Sequence, residues 1–447
     1  MFRISKADDL IRPRRRSMKI RQFLVLVTLA LVVGVGSYMG IAQQDRQVFV
    51  VQVPDRQRVQ VDIILPYPAG QGPLAHYTEH LAWLNTMGRA SRAADRHTNA
   101  WTSPQAIGYW LAGDAADLLD LLGKLSGVFD PIDLPQSFAA EERGIILREY
   151  EYRMSGNVDA QAATAMEAFL YAGNPVADSV IGTPAQIMSL DYTAAQALHA
   201  QTHRRENARL IVTGPVTDRQ VRRALRDAGW PDTRTDGPVI APASFDLAEP
   251  AVTQLRYPAP DAAPRLLWRR VVGLPAPVQF DLLEAQTALL TDILTSNLPG
   301  GLAGPLQFDA AMARNFDIQI WPIDTGHIEI GFRAAPDTNV SLTALQTAFE
   351  AVLANTAGTG IPPETHTRVQ GRFDGYWPDW TDRTDTADWM VGYVTDRVGN
   401  LQDPLPVRGL KQLADRLSPD TTNMLLRQLA TQGRSASAFI GPEDRFE

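Results

Sequence analysis

Seven residues recur in this chain at one fixed separation. Val180, Gly182, Leu190, Leu198, Gln201, Gly214 and Pro215 are each matched by the same residue type 227 positions later, at Val407, Gly409, Leu417, Leu425, Gln428, Gly441 and Pro442. One gapless offset over such a stretch points to an internal duplication. Each copy reads as a helix followed by an apolar strand, residues 208–213 or 435–440, that stops at Gly-Pro. A chain of 447 residues also exceeds one ordinary core. The expected organisation is therefore two related domains, residues 46–230 and 253–447, joined by a linker over 231–252 that starts in a Pro/Asp/Thr/Gly-rich stretch.

Within the first domain, residues 48–53 and 59–64 read as strands because β-branched residues dominate them. Helical periodicity covers residues 74–84, 115–128, 136–154 and 193–201. Strands mixed with helices in this order predict an α+β fold.

The N-terminus constrains location. Residues 1–22 carry eight basic side chains against Asp8 and Asp9, and residues 23–41 form an uncharged apolar run. That run is close to the ~20 residues that cross a bilayer as a helix, with the basic flank on the cytoplasmic side. A second reading starts the chain at Met18 and makes residues 23–42 a signal peptide, with cleavage near Gly40-Ile41-Ala42. Both predict a periplasmic or otherwise extracytoplasmic body. It is either released after cleavage or anchored in the inner membrane through the uncleaved N-terminal helix. The net charge is -8 in spite of the basic N-terminus, so the body is acidic and nucleic acid is not its expected partner. The chain has no cysteine, which excludes disulfides, thiolate metal ligands and thiol nucleophiles.

Chemistry enters at His76-Tyr77-Thr78-Glu79-His80. Two histidines four apart on a helix project from one face, one turn apart, and can fill two positions of a tetrahedral zinc. Glu79 stands beside such a metal, where it can take a proton from the zinc-bound water, whose pKa the metal lowers towards ~7. The order His-x-x-Glu-His is a zinc-peptidase signature. A helix with two solvated histidines is ordinary, however, so the motif requires a third ligand. The helical pattern over 136–154 offers Glu142 and Glu149, seven apart on one face, although a charged face followed by Glu151 also suits plain solvation.

His76-x-x-Glu79-His80, the run Asn99-Ala100-Trp101-Thr102-Ser103, and Glu142-Arg143-Gly144-Ile145-Ile146-Leu147-Arg148-Glu149 together resemble the pitrilysin/insulinase family of metallopeptidases, in particular its mitochondrial-processing-peptidase-like branch. The likeness continues through Asn174-Pro175, residues 180–183 and residues 210–214. It implies two homologous domains, each a mostly antiparallel sheet packed with helices, the first catalytic and the second not. It makes His76, His80 and Glu149 ligands of one Zn2+ per chain, and Glu79 the general base of a one-step peptide hydrolysis. Glu142 becomes the carboxylate that orients a histidine ligand. Asn99 and Ala100 fall on the edge strand that takes the substrate backbone as an added strand.

Two departures stand out. The stretch 81–98 is short for this family, and so is the spacing from His80 to Glu149. In the second half, where relatives carry an Arg and a Tyr that hold the peptide, Phe316 occupies the Tyr position and the Arg has no counterpart. A hetero-dimer with a family member that carries this pair is therefore the expected working form, with peptides or unfolded segments as substrates. The alternative is a catalytically inactive, peptidase-like subunit that binds peptides or assembles with a partner. His97, His199 and His203 read as surface or capping residues. The aromatic stretch from Tyr376 to Trp389 reads as a helix start.

Overall fold

The computed structural model describes residues 47–88, 97–177, 179–230, 240, 245–376, 384–404, 413, 416–431 and 433–447. The expected N-terminal helix, most of the linker and residues 377–383 of the aromatic stretch lie outside these. Among the described residues no helix is long and apolar enough to cross a membrane.

Strand β2 (Arg58–Pro66) shows how the chain commits to its layers. Val59, Val61, Ile63 and Leu65 are fully buried on one face, yet Asp62 and Ile64 on the opposite face are buried as well. A strand buried on both faces belongs to the middle of a covered sheet. It lies between β4 (Ala106–Asp114) and β5 (Arg209–Gly214), antiparallel to both. With β1 (Val48–Gln52), which runs parallel to β5, and β3 (Thr98–Thr102) on the far edge, the first sheet has the order β1-β5-β2-β4-β3. The second comprises β6 (Ala251–Pro258), β7 (Arg265–Gly273), β8 (Ala313–Pro322), β9 (His327–Pro336) and β10 (Arg434–Gly441), in the order β6-β10-β7-β9-β8. The two topologies are the same, and both sheets are antiparallel except for one pair.

The helices follow the same plan. The first half contributes α1 (Gly72–Met87), α2 (Leu118–Leu125), α3 (Gln136–Met154), α4 (Val158–Leu170), α5 (Pro184–Ser189), α6 (Tyr192–Thr202) and α7 (Asp218–Asp227). The second contributes α8 (Phe280–Thr295), α9 (Leu342–Thr359), α10 (Pro363–Tyr376), α11 (Thr384–Gly399) and α12 (Pro419–Leu429). The 227-residue offset carries α6 onto α12 and carries the N-cap Asp191 onto the N-cap Ser418. It also places the first residue of α3 on the first residue of α10. Gly214 and Gly441 close β5 and β10 with φ of 150° and 141°. A Cβ would stand 2.7 Å from the Arg58 carbonyl oxygen at the first and 2.8 Å from Pro264 Cα at the second, so both places demand glycine. Val407 and Gly409 of the repeat lie outside the described residues.

Residues 47–447 form one unit, and the halves exchange helices within it. Ala162, Met166 and Leu170 of α4 pack on Val271, Ala436, Ala438 and Ile440 of the second sheet. Val394 and Val398 of α11 belong to the cluster that covers Phe49, Val51, Ile64 and Ile211 on the first sheet. The first exchange is also pinned by charge. Arg265 meets Asp159 of α4 at 2.5 Å, and Arg269 bridges Glu167 of α4 and the fully buried Glu329, which also accepts from Tyr171.

Candidate metal centre

Helix α1 is buried on nearly every side: Ala75, His76, Tyr77, Thr78, Glu79, Leu81 and Ala82 are all withdrawn from solvent. Its polar side chains are therefore held by packing rather than by water. The Tyr77 hydroxyl donates to the Ala139 carbonyl of α3 at 2.8 Å, and Arg143 fastens α3 to the Leu190 carbonyl at 2.7 Å. These bonds present the Glu142–Glu149 face of α3 to the histidines of α1.

There the sequence-predicted residues converge. The two imidazoles meet edge to face, with centroids 4.8 Å apart. Glu149 Oε2 lies 3.6 Å from His76 Nε2 and 3.7 Å from His80 Nε2. Glu142, almost wholly buried, places Oε2 3.2 Å from His80 Nδ1. With Glu142 accepting from Nδ1, His80 turns Nε2 towards Glu149. His76 Nδ1 is buried without a hydrogen-bond partner.

The donor set suits zinc. His76, His80 and Glu149 each offer one ligand atom, all within 4.8 Å of one another. Ligands about 2.05 Å from a tetrahedral ion stand about 3.3 Å apart, so the two Glu149–imidazole separations would contract by only a few tenths of an ångström around such an ion, which would keep one position free. Charge points the same way. Among the described lining residues, Glu79, Glu142 and Glu149 face one guanidinium, Arg153, which pairs with Glu149 Oε1. The pocket thus holds an excess of negative charge that a dication balances.

The protonation pattern follows from that excess. Burial, together with the neighbouring His80, holds His76 well below the usual imidazole range. Burial also opposes charge on His80, but hydrogen bonds to Glu142 and Glu149 and the nearby Glu79 outweigh it and push the imidazole up to about 10. The hydrogen bond with His80 keeps Glu149 low despite its partial burial. Burial lifts Glu79 to about 6, against the pull of His80 and of the Thr102 hydroxyl, which donates to Glu79 Oε2 at 3.1 Å. A carboxylate poised there is suited to move a proton near neutral pH.

A cavity of about 860 Å³ opens on this group, walled by α1, α3 and the edge strand β3. Asn99 and Ala100 lie on β3, opposite Trp110 and Tyr109 of β4. Trp101 projects from β3 across Gly108 and packs against the core of the second half beside Gly399, which steadies the strand from behind.

Sequence reasoning missed Thr102 and Arg153. The first stood inside the quoted Asn-Ala-Trp-Thr-Ser run and the second at i+4 from Glu149, a spacing that faces it. One expectation needs correction. His199 and His203 are buried rather than superficial: their rings stack at 4.1 Å, His203 Nε2 accepts from the Tyr109 hydroxyl at 2.8 Å, and His199 Nε2 donates to the Val128 carbonyl at 2.9 Å. A fully satisfied neutral histidine is as buryable as any amide. His203 does follow α6 as its C-cap, and His97 is exposed in a turn. In the second half, Phe316 lies on the edge strand β8, and α10 ends at Tyr376, the counterpart of Glu149.

No family model and no curated protein matches the chain. Solved structures do. The periplasmic protease PqqL from Escherichia coli superposes with a TM-score of 0.72 at 14% identity, over 88% of this chain and 46% of PqqL. A putative M16-like peptidase from Alicyclobacillus acidocaldarius gives 0.70 at 15% identity, over 89% of this chain and 96% of that one. The chain has the M16 peptidase fold. An M16 inactive domain from Pseudomonas fluorescens shares that fold, with a TM-score of 0.69 at 14% identity over 90% of this chain and 96% of its own. The M16 architecture agrees with the pitrilysin/insulinase resemblance carried by the motifs. This chain spans about half the length of PqqL.

Proposed function

We propose that the chain is a zinc-dependent endopeptidase of the pitrilysin/insulinase family that hydrolyses peptides or unfolded segments outside the cytoplasm. The observation that carries this reading is the meeting of His76, His80 and Glu149 beside the buried Glu79, in a cavity bordered by an edge strand. His76 Nε2, His80 Nε2 and a Glu149 oxygen would hold the ion, and Glu142 would keep His80 oriented. Zinc, when bound, supplies Lewis acidity towards the scissile carbonyl and makes water acidic enough to lose its proton near neutral pH. Glu79 takes that proton, held in place by Thr102, and returns it to the departing amine. The backbone of β3 at Asn99 and Ala100 receives the peptide as an additional strand and sets its register.

In this reading residues 46–230 are the catalytic domain and residues 253–447 a non-catalytic one, since Tyr376 replaces the third ligand there. The basic and apolar N-terminal segments support export, with either release or retention at the membrane. Phe316 and the missing Arg support pairing with a family member that supplies the substrate-holding residues. A second reading, a catalytically inactive peptide-binding subunit, draws on the short connection between α1 and β3, residues 88–97 against residues 296–312 at the equivalent place in the second half. Zinc analysis of the purified chain, with cleavage of a quenched peptide by wild type and Glu79→Gln, separates the two. Stoichiometric zinc and a loss of about 100-fold or more in the variant support the peptidase. No zinc, or cleavage untouched by the substitution, supports the inactive subunit.

A further inference from the structure

We propose that Arg153 gives this site a preference for acidic peptides, receiving an aspartate or glutamate side chain beside the bond to be cut; the inference rests on the peptidase reading above. Arg153 lies in the last turn of α3, four residues after Glu149, and lines the same cavity. One guanidinium nitrogen pairs with Glu149 Oε1, while the side chain keeps 60% of its surface exposed. A guanidinium has five N–H donors in a planar fork, so most remain open to a second carboxylate.

The other charges of the cavity leave an entering peptide little choice. Among the described lining residues Arg153 is the sole arginine or lysine. Its carboxylates are already engaged: Glu142 with His80, Glu149 with Arg153 and the two imidazoles, Glu79 with the Thr102 hydroxyl. The remaining wall is largely apolar, through Trp83, Leu84, Met87, Ile145 and Ile181. Once a dication balances the three carboxylates, an incoming ammonium would meet the Arg153 charge, whereas an incoming carboxylate finds a charge-assisted hydrogen-bonding partner. A dication on the three-residue group would draw on the Glu149 charge and leave Arg153 less compensated. The preference should therefore sharpen when zinc is bound.

The test uses the full chain as Glu79→Gln, which binds peptide without turnover. Short fluorescein-labelled peptides of Ala, Phe and Gly, with one central Glu, Ala or Lys, are titrated by anisotropy with and without zinc. With zinc, the Glu peptide should bind about tenfold more tightly than the Ala peptide, and the Lys peptide most weakly; without zinc the order should weaken. A second substitution, Arg153→Gln, should level the Glu and Ala peptides, Arg153→Glu should invert the order, and Arg153→Lys should keep a reduced preference. Because Arg153 also touches Glu149, zinc content is measured for each variant and the Glu-to-Lys ratio is compared between variants at equal zinc occupancy. A ratio near one, a ratio that survives Arg153→Glu, or no binding of any peptide overturns the proposal. Cleavage of the same peptides by the unmodified chain is a separate check: Arg153-dependent binding without any cleavage removes the peptidase reading and leaves Arg153 as a binding determinant for acidic peptides alone.

Discussion

Zinc and a proton compete for His80, and the structure fixes how that competition runs. Without metal, Glu142 and Glu149 hold the His80 imidazole protonated up to about pH 10. His76 is already neutral and Glu149 already ionised near neutral pH, because their pKa values move in the opposite direction. Binding of zinc should then expel one proton, from His80. Affinity should rise about tenfold per pH unit, or about 1.4 kcal/mol, and so about 100-fold between about pH 6.5 and 8.5. Glu142→Gln leaves an acceptor oxygen beside Nδ1 but removes its charge, so the His80 pKa falls below its wild-type value, held up only by Glu149 and Glu79. In the variant the slope should flatten at a lower pH than in wild type, while the affinity at a pH where His80 is neutral in both proteins drops about 10–100-fold for want of the orienting carboxylate. The two curves therefore converge towards acid. Competition with a chromophoric chelator across this range gives the slopes, and calorimetry in two buffers of different ionisation enthalpy counts the protons. A wild-type affinity that does not change with pH, or an equal slope in the variant, would refute the role given to Glu142.

Three further perturbations test other parts of the account. Thr102→Val removes a hydrogen bond that lowers the Glu79 pKa, so the acid limb of the pH–rate profile should move to higher pH, read from kcat/KM against pH. Gly214→Ala forces a Cβ to within 2.7 Å of the Arg58 carbonyl oxygen at a φ of 150°, and should cost about 1–3 kcal/mol in denaturant unfolding. Met166→Ala empties a fully buried position between α4 and the second sheet, and should cost about 2–5 kcal/mol, with the loss seen equally by probes in either half.

Much of this was legible in the sequence because it is local. Helices α1 and α3 follow from periodicity, and the repeat predicts α6 with α12 and β5 with β10. The pairing of Glu149 with the histidines needed more, since two helices about 70 residues apart meet only through tertiary bonds such as that of Tyr77 to Ala139. Thr102 and Arg153 act through space on residues that the motifs name, which a motif does not encode. His199 and His203 were misplaced because a polar residue type says little about burial once its hydrogen bonds are supplied. The exchange of α4 and α11 was hidden for a similar reason: periodicity tells which face of a helix is apolar, not which sheet will cover it.

That exchange governs the order in which the molecule can be built. Helix α4 rests on β10, and Arg434 of β10 reaches back across 265 positions of sequence to the Phe169 carbonyl at the end of α4. Contacts so remote in sequence form late and slowly. During synthesis the first half must wait with Ala162, Met166 and Leu170 uncovered, and with one face of its sheet bare, until the second half emerges. Such an interval is when a chain is most open to aggregation and to chaperones. The residues of the metal centre all belong to the half that is made first, but the sheet beneath β3 is sealed only when the other half arrives.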